Sequence, residues 1–486
     1  MGSLPRRIFL ATVFLYIALW FAPTKWIAFL TIGLYGVWTF RMLQSVSEAL
    51  LVSYIALLPV TIGKQFPITL VSASQLNIIG RSLGIAADVV ITGREVIVGI
   101  MALSIISQSL KQKRWPIPYD GFGWSLVILP VILFISTFFG SVLPWVSFFH
   151  VLFFIEPFIL YTYITSKRVG RPTVLLAALI AAVGFESVLV LLQNIKGATI
   201  GLVVEDFPDY IPVDLSRDVS GAAIRLGGTF AHANILAHYL IFSLIMMLPI
   251  VFDATSSLSF IAAIVSTAGI VALIFTESRS AWFGWLTGLL VFFYLAEKVW
   301  HMRLRLPKGI WRVTIISAPI LAAIAATVVI PRIAGTAYTF EPFGSAETRQ
   351  LLFREATSAI RAHPLFGVGI AVDVYYMFLH GSPGSRTSVI SYFPEPVHNG
   401  FIELFVQSGI IGFVAYLFCW GLLFREILRH MKKARGLNCL YDIGFFAALM
   451  STMVNAQLQP LAPNLSVAVL FLMSWRTIDA QKPQEG

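Results

Sequence analysis

Residues 257–299 read SLSFIAAIVSTAGIVALIFTESRSAWFGWLTGLLVFFYLAEKV. Two apolar runs, 257–276 and 281–299, flank a single polar interruption, Glu277-Ser278-Arg279-Ser280. A hydrocarbon core of about 30 Å takes about 20 helical residues, with tolerance for tilt and snorkelling. Each run is therefore one crossing, and the four polar residues are the turn of a membrane hairpin. A charge at mid-bilayer costs about 2.5 to 3.5 kcal/mol, which places the turn at an interface or against a wet cavity, with Glu277 as a candidate partner of Arg279. Either place suits an anion, and an interfacial Arg that only snorkels fits the same spacing.

The pattern recurs along the chain. Apolar stretches occupy 8–22, 26–40, 47–63, 85–108, 122–140, 143–165, 173–193, 229–252, 257–276, 281–299, 313–331, 400–424, 440–459 and 464–477. The first and last pairs are short, so the spacing predicts an all-α polytopic membrane protein with about 12 to 14 transmembrane helices. A soluble chain of 486 residues would hold about three domains, but 58% apolar and 12% charged composition excludes that. Aromatic content of 14%, led by 39 Phe, excludes a disordered or disulfide-rich secreted chain. The net charge of +10 would suggest nucleic acid in a soluble protein; here the cations mark cytoplasmic loops, and no nucleic-acid partner is inferred. Cys419 and Cys439 fall in or beside one apolar segment, which supports neither a disulfide framework nor a cysteine metal site. Met1–Arg7 precedes an apolar run with no small-residue cleavage site before Trp20-Phe21, and reads as the start of a first membrane segment rather than a signal peptide.

With the amino terminus inside, the basic segments Lys111/Lys113/Arg114, Lys167/Arg168/Arg171, Arg303/Arg305/Lys308/Arg312 and Arg425/Arg429/Lys432/Lys433/Arg435 share the cytoplasmic side. Both termini are then cytoplasmic. Two longer polar segments, about 195–228 and 332–399, face the outside. Four divisions follow: 1–228 with the first outer loop, 229–331 with the Arg279 hairpin, 332–399 as a long extracytoplasmic loop, and 400–486 with the last membrane helices and tail. The cytoplasmic loops are short and carry no nucleotide-cradling glycine pattern, so chemistry is expected outside and without a nucleotide. In the long loop, Ser345 and Glu347 open a helix over 345–361 that His363-Pro364 stops. Gly367-Val368-Gly369, a stretch with Gly381, Pro383 and Gly384, and His398-Asn399-Gly400 at a helix mouth come next, and the glycines at 367–369 and 381–384 are expected to let the outer loop open and close.

His398 is one of 8 histidines, placed where irregular backbone can present it to a cavity, and neutral imidazole can take a proton from a sugar hydroxyl. Taken alone, a loop histidine is more often a hydrogen-bonded surface residue. His232 and His238 are six apart, wrong for a metal pair on one helix face, so a helix-start role suits His232 and Asn234 better. Glu205, Asp206 and Asp209 are acidic without fixed ligand spacing, and a solvated face is their default. Asp88, Arg94 and Glu95 fall within the crossing drawn at 85–108, where they either pair inside the bundle or mark a later start.

Four local patterns stand out: Gly228-Thr229-Phe230 with Asn234 and Ala237; Ser278-Arg279-Ser280-Ala281-Trp282; Arg349 leading into His363-Pro364-Leu365-Phe366-Gly367-Val368-Gly369; and His398-Asn399 followed by Gly409 and Gly412. Together, in order and placement, they resemble the O-antigen ligase/polymerase superfamily of bacterial membrane proteins. The likeness is concentrated in about residues 225–425. It implies a GT-C-type glycosyltransferase that moves a glycan from undecaprenyl pyrophosphate to an acceptor hydroxyl, on lipid A-core or another cell-surface acceptor, at the outer face of the inner membrane. A polymerase of the same family would pass the chain to another lipid-linked repeat. By the resemblance, Arg279 binds the donor pyrophosphate, Arg225 and Arg349 are further basic residues around it, and His398 is the essential loop histidine. No cofactor is implied, and inversion at the anomeric carbon without a metal is expected. Membrane lipids are the remaining partners. A polytopic transporter or lipid-glycan flippase is the alternative from another class, and a metal-dependent transferase using Glu205, Asp206 and Asp209 is a third reading.

Overall fold

The computed structural model describes residues 3–60, 62–67, 88–113, 120–167, 171–205, 226–230, 232–302, 304, 306–334, 345–380 and 396–459. Arg225, Asp206, Asp209, Gly381, Pro383, Gly384 and the crossing expected at 464–477 lie outside the described residues.

The first helices are α1 (Leu4–Trp20), α2 (Lys25–Leu43) and α3 (Val46–Ala56). A two-stranded antiparallel ribbon follows, β1 (Gly63–Pro67) against β2 (Asp88–Thr92). Then come α4 (Gly93–Gln112), α5 (Gly121–Gly140), α6 (Pro144–Leu152), α7 (Glu156–Lys167), α8 (Pro172–Lys196), α9 (Ala233–Phe252), α10 (Ser259–Phe275), α11 (Arg279–Phe293) and α12 (Lys308–Ala334). The long loop carries α13 (Ser345–Ala362) and α14 (Asp373–His380), and α15 (Gly400–Lys433) and α16 (Leu437–Ala456) close the described chain. The protein is thus an all-α polytopic membrane protein. Ten spans among the described residues are long and apolar enough to cross a membrane, with α3 and α10 as shorter apolar helices.

Three boundaries differ from the hydropathy reading. The crossing drawn at 85–108 begins at Gly93, because 88–92 pairs with the ribbon and Thr92 with Glu95 forms a capping box there. Arg94 accordingly pairs with Glu95 at 2.7 Å at the helix mouth. The crossing at 143–165 is two helices joined by a 3-10 turn, Phe153–Ile155, which sits just before Pro157. The crossing at 47–63 ends early, at Ala56.

α8 is the hub: 83% of its most apolar window is buried, against 67% for α9 and α16 and 0% for α12, which lies at the edge. Lipid chains are as apolar as leucine, so helices associate by close packing rather than by escape from water. Gly284 and Gly288 on α11 supply that, one turn apart, with Ser451 and Asn455 of α16 close enough that a Cβ at Gly284 would meet the Ser451 carbonyl at 2.8 Å. Polar ties sort the helix ends. Ser3 Oγ meets Ser257 Oγ at 2.5 Å, and Arg171 Nε donates to Glu48 Oε1 at 2.8 Å, so these turns share one end of the bundle. The starts of α9, α11 and α15 and the end of α16 gather at the opposite end.

Candidate active site

Two of the motif helices, α9 and α15, begin on a side-chain cap. His232 is the N-cap of α9, its Nδ1 accepting from Asn234 N at 3.0 Å, which is the helix-start role its spacing suggested. Ser278 precedes Arg279 at the first position of α11, after a left-handed Glu277 (φ 52°) that makes the hairpin turn tight. Asn399 caps α15 twice, with Oδ1 accepting from Phe401 N and Ile402 N at 3.0 Å each.

The three starts meet at a turn that follows α16. Gln459 Nε2 donates to Ser280 Oγ at 2.8 Å, and Asn234 Nδ2 donates to Gln459 Oε1 at 2.8 Å. Asn399 Nδ2 donates to the Gln457 carbonyl at 3.0 Å. One helical turn deeper, Asn455 Nδ2 donates to His238 Nδ1 at 2.9 Å. Gln459 is 3% exposed, so its amide must be satisfied inside the protein, and these partners fix its orientation. Each helix N-terminus carries about half a positive charge, so the gathering of three helix starts at this end favours an anion over a cation there.

The Gly228-Thr229 segment is held from below. Thr229 N and Oγ1 donate to the Glu186 carboxylate at 3.1 and 2.7 Å, and Gly228 N donates to Gln193 Oε1 at 3.0 Å. Gly228 has φ 62°, and a Cβ there would overlap the Glu186 carboxylate. Glu205 accepts from Ile200 N, Gly201 N and Leu202 N and from Gln193 Nε2 at 2.7 to 3.1 Å. Its charge is spent on this backbone nest, which speaks against a metal-ligand role for it. Among the described residues, no group of three or more His, Cys, Asp or Glu is placed to hold a metal.

The His363–Gly369 loop does something other than hinge. It lies along a break in α15 at Gly409 (φ 63°, ψ −173°). Val368 N donates to Val406 O and Gly369 N to Gln407 O at 2.9 Å, while Ile410 N donates to Pro364 O at 2.9 Å. Ser136 Oγ of α5 lies within hydrogen-bond reach of both Phe366 O and Ser408 O, at 2.5 and 2.8 Å, and its single proton can go to either. A Cβ at Gly367 would sit 2.5 Å from Gln407 C and Gly409 N. The glycines at 367 and 369 therefore serve backbone contact, which corrects a hinge reading of that stretch.

This clasp seats the histidine. Val397 shares an apolar cluster with Leu352, Ala356 and Ala359 of α13 and with Val368, Tyr376 and Val406. His398, half-buried, is the next residue, and Arg349 is half-buried one turn before Leu352. Gln407 Nε2 also donates to Asp373 Oδ1 at 2.8 Å and to Glu403 Oε1 at 3.3 Å. Burial pushes the Asp373 carboxyl up to about 6.

The structure thus puts Arg279 and His398 on helix starts held by one turn, with Arg349 on the helix packed over the His398 segment. Gln457, Gln459, Glu186 and the Asp373–Gln407–Glu403 set are absent from the sequence reading. The one hint was a Gln457-Leu458-Gln459 amide pair closing the apolar run 440–459.

Residues 261–417 match the O-Antigen ligase family, in support of the likeness to the O-antigen ligase/polymerase superfamily. The family comprises glycosyltransferase-like ligases and polymerases. The matched stretch holds Arg279, Arg349 and His398; Arg225, Asn234, Gln457 and Gln459 lie outside it. No curated protein matches the chain.

Proposed function

We propose that this protein is a glycosyltransferase of the GT-C type that takes a glycan from undecaprenyl pyrophosphate and joins it to an acceptor hydroxyl at the outer face of the inner membrane. The acceptor is lipid A-core or another cell-surface hydroxyl, which makes the enzyme a ligase. The observation that supports this most is the convergence of the α9, α11 and α15 starts on Gln457–Gln459, because Ser280 follows Arg279 and Asn399 follows His398 in the chain.

In the reaction, the acceptor oxygen attacks the anomeric carbon and the bond from that carbon to the diphosphate oxygen breaks. The electron pair leaves with the diphosphate, whose charge rises. A guanidinium binds such a group through a planar fork of donors, and Arg279, with Arg349 and Arg225, supplies this in a water-poor setting. His398 accepts the proton of the acceptor hydroxyl. Attack opposite the leaving diphosphate inverts the anomeric centre, and no divalent cation takes part.

The test uses purified full-length protein, lipid-linked glycan donor and acceptor. His398→Ala retains donor binding and loses about 10²- to 10⁴-fold in turnover. Wild-type turnover falls on acidification as the base is protonated, and this limb is absent from the residual activity of the variant. A His398→Ala protein that turns over normally with the wild-type pH profile removes His398 from the chemistry. A flippase would carry labelled donor across proteoliposomes and form no new glycosidic bond.

A further inference from the structure

Gln459 lies three residues past the end of α16, outside the matched stretch. Its ties reach 179 residues back to Ser280 and 225 back to Asn234, and its neighbour Gln457 reaches 58 back to Asn399. Ser280 is the residue after Arg279, and Asn399 the residue after His398. Asn234, Ser280 and Gln459 are all buried. Because a side-chain amide has one acceptor oxygen and one donor nitrogen, Gln459 can satisfy the Asn234 donor and the Ser280 acceptor at once only in a single orientation. The rung below it, Asn455 to His238, holds α16 and α9 at the same spacing.

Resting on the reading given under Proposed function, we propose that Gln459 is a positioning residue for donor binding. Its amide fixes the first turn of α11 against α9 so that Arg279 faces the donor diphosphate, and the Gln457 carbonyl fixes Asn399 so that His398 stands at a set distance from it. One turn thereby sets the spacing between the donor half and the acceptor half of the site. Gln459 touches no reacting atom. It acts through the Ser280 hydroxyl and adds no charge of its own, which suits a place meant for an anion.

Charge separates positioning at an anion site from plain packing. The full-length protein in nanodiscs is titrated with undecaprenyl pyrophosphate. Gln459→Ala weakens binding about tenfold, the worth of about one buried hydrogen bond. Gln459→Glu keeps the shape and can accept from both Asn234 and Ser280, yet sets a carboxylate beside Arg279, and weakens binding further, about 100-fold. A Gln459 that only packs gives the reverse order, with Glu near wild type and Ala the weaker. Asn399→Ser keeps a capping oxygen and drops the tie to Gln457; it retains donor affinity while turnover falls. Loss of donor affinity in Asn399→Ser to the level of Gln459→Ala would overturn the division into two halves. If Gln459→Ala does not accumulate, Gln459→Asn, one methylene too short to span both partners, gives the same loss of affinity. Arg279→Ala is the reference. Unchanged affinity in Arg279→Ala refutes the donor-site reading itself, whereas loss in Arg279→Ala with wild-type affinity in both Gln459 variants refutes this inference alone.

Discussion

At the Gln457–Gln459 turn the helix starts are joined by side-chain amides, whereas at Pro364–Gly369 a loop meets the broken helix α15 backbone to backbone. The first joint consists of separate hydrogen bonds, each removable alone at the cost of about one bond. The second depends on the absence of side chains, since Gly140, Gly367 and Gly409 face one another's backbone at distances no Cβ tolerates. A site joined by amides can be adjusted in small steps; a clasp made of glycine backbone is kept whole or lost. The adjustable joint carries Arg279, and the rigid one carries the segment leading to His398.

The largest effect is expected at the clasp. Gly367→Ala adds a Cβ 2.5 Å from Gln407 C at a residue with φ 69°, and costs about 3 kcal/mol or more. The yield of monodisperse protein should collapse; normal yield and an unchanged unfolding temperature would show that the clasp yields and end the comparison. Next comes Arg279→Lys, which keeps the charge but not the planar fork, and should lower turnover about 10²-fold while the unfolding temperature stays put. Near-normal turnover would reduce Arg279 to an interfacial anchor.

A smaller effect concerns stability alone. The Asp373 carboxyl is held up to about 6 by burial, against 3.8 in its ordinary setting. Between those values the folded protein keeps the proton that the unfolded chain has released. Stability from this group is therefore full below the lower value and is lost as pH rises through about 6. Asp373→Asn keeps an acceptor for Gln407 and removes that loss, so its unfolding temperature should exceed the wild type by about 2 °C at pH 7.5 and match it at pH 4. An equal difference at both pH values would place the cause in packing. The smallest effect is none: EDTA should leave transfer by pure protein unchanged, because the proposed donor site is built from guanidinium and helix starts. Inhibition reversed by magnesium or manganese would transfer the donor role to the acidic loop.

Much of this architecture is legible in one dimension. The hairpin turn at Glu277–Ser280, the helix after Ser345 and the helix mouth at Asn399 follow from hydropathy and capping residues, which act over one or two turns of chain. The ribbon of 63–67 with 88–92 was hidden, since its strands gain their hydrogen bonds only from each other across an intervening stretch. Glycines 367 and 369 read as flexibility for a similar reason: a missing Cβ looks the same in sequence whether it frees the backbone or lets another backbone approach.

The sequence by itself determined that the chain crosses a membrane many times, where most crossings lie, and which residues are costly enough in that setting to need a reason, Arg279 foremost. Tertiary structure alone decided that Asn234 and Ser280 meet at Gln459 and Asn399 at Gln457, and that Glu186, deep in α8, holds Thr229. The reason is that burial in a bilayer is a property of each stretch taken singly, while a buried amide or carboxylate is satisfied only by whichever distant group the packing of helices brings to it.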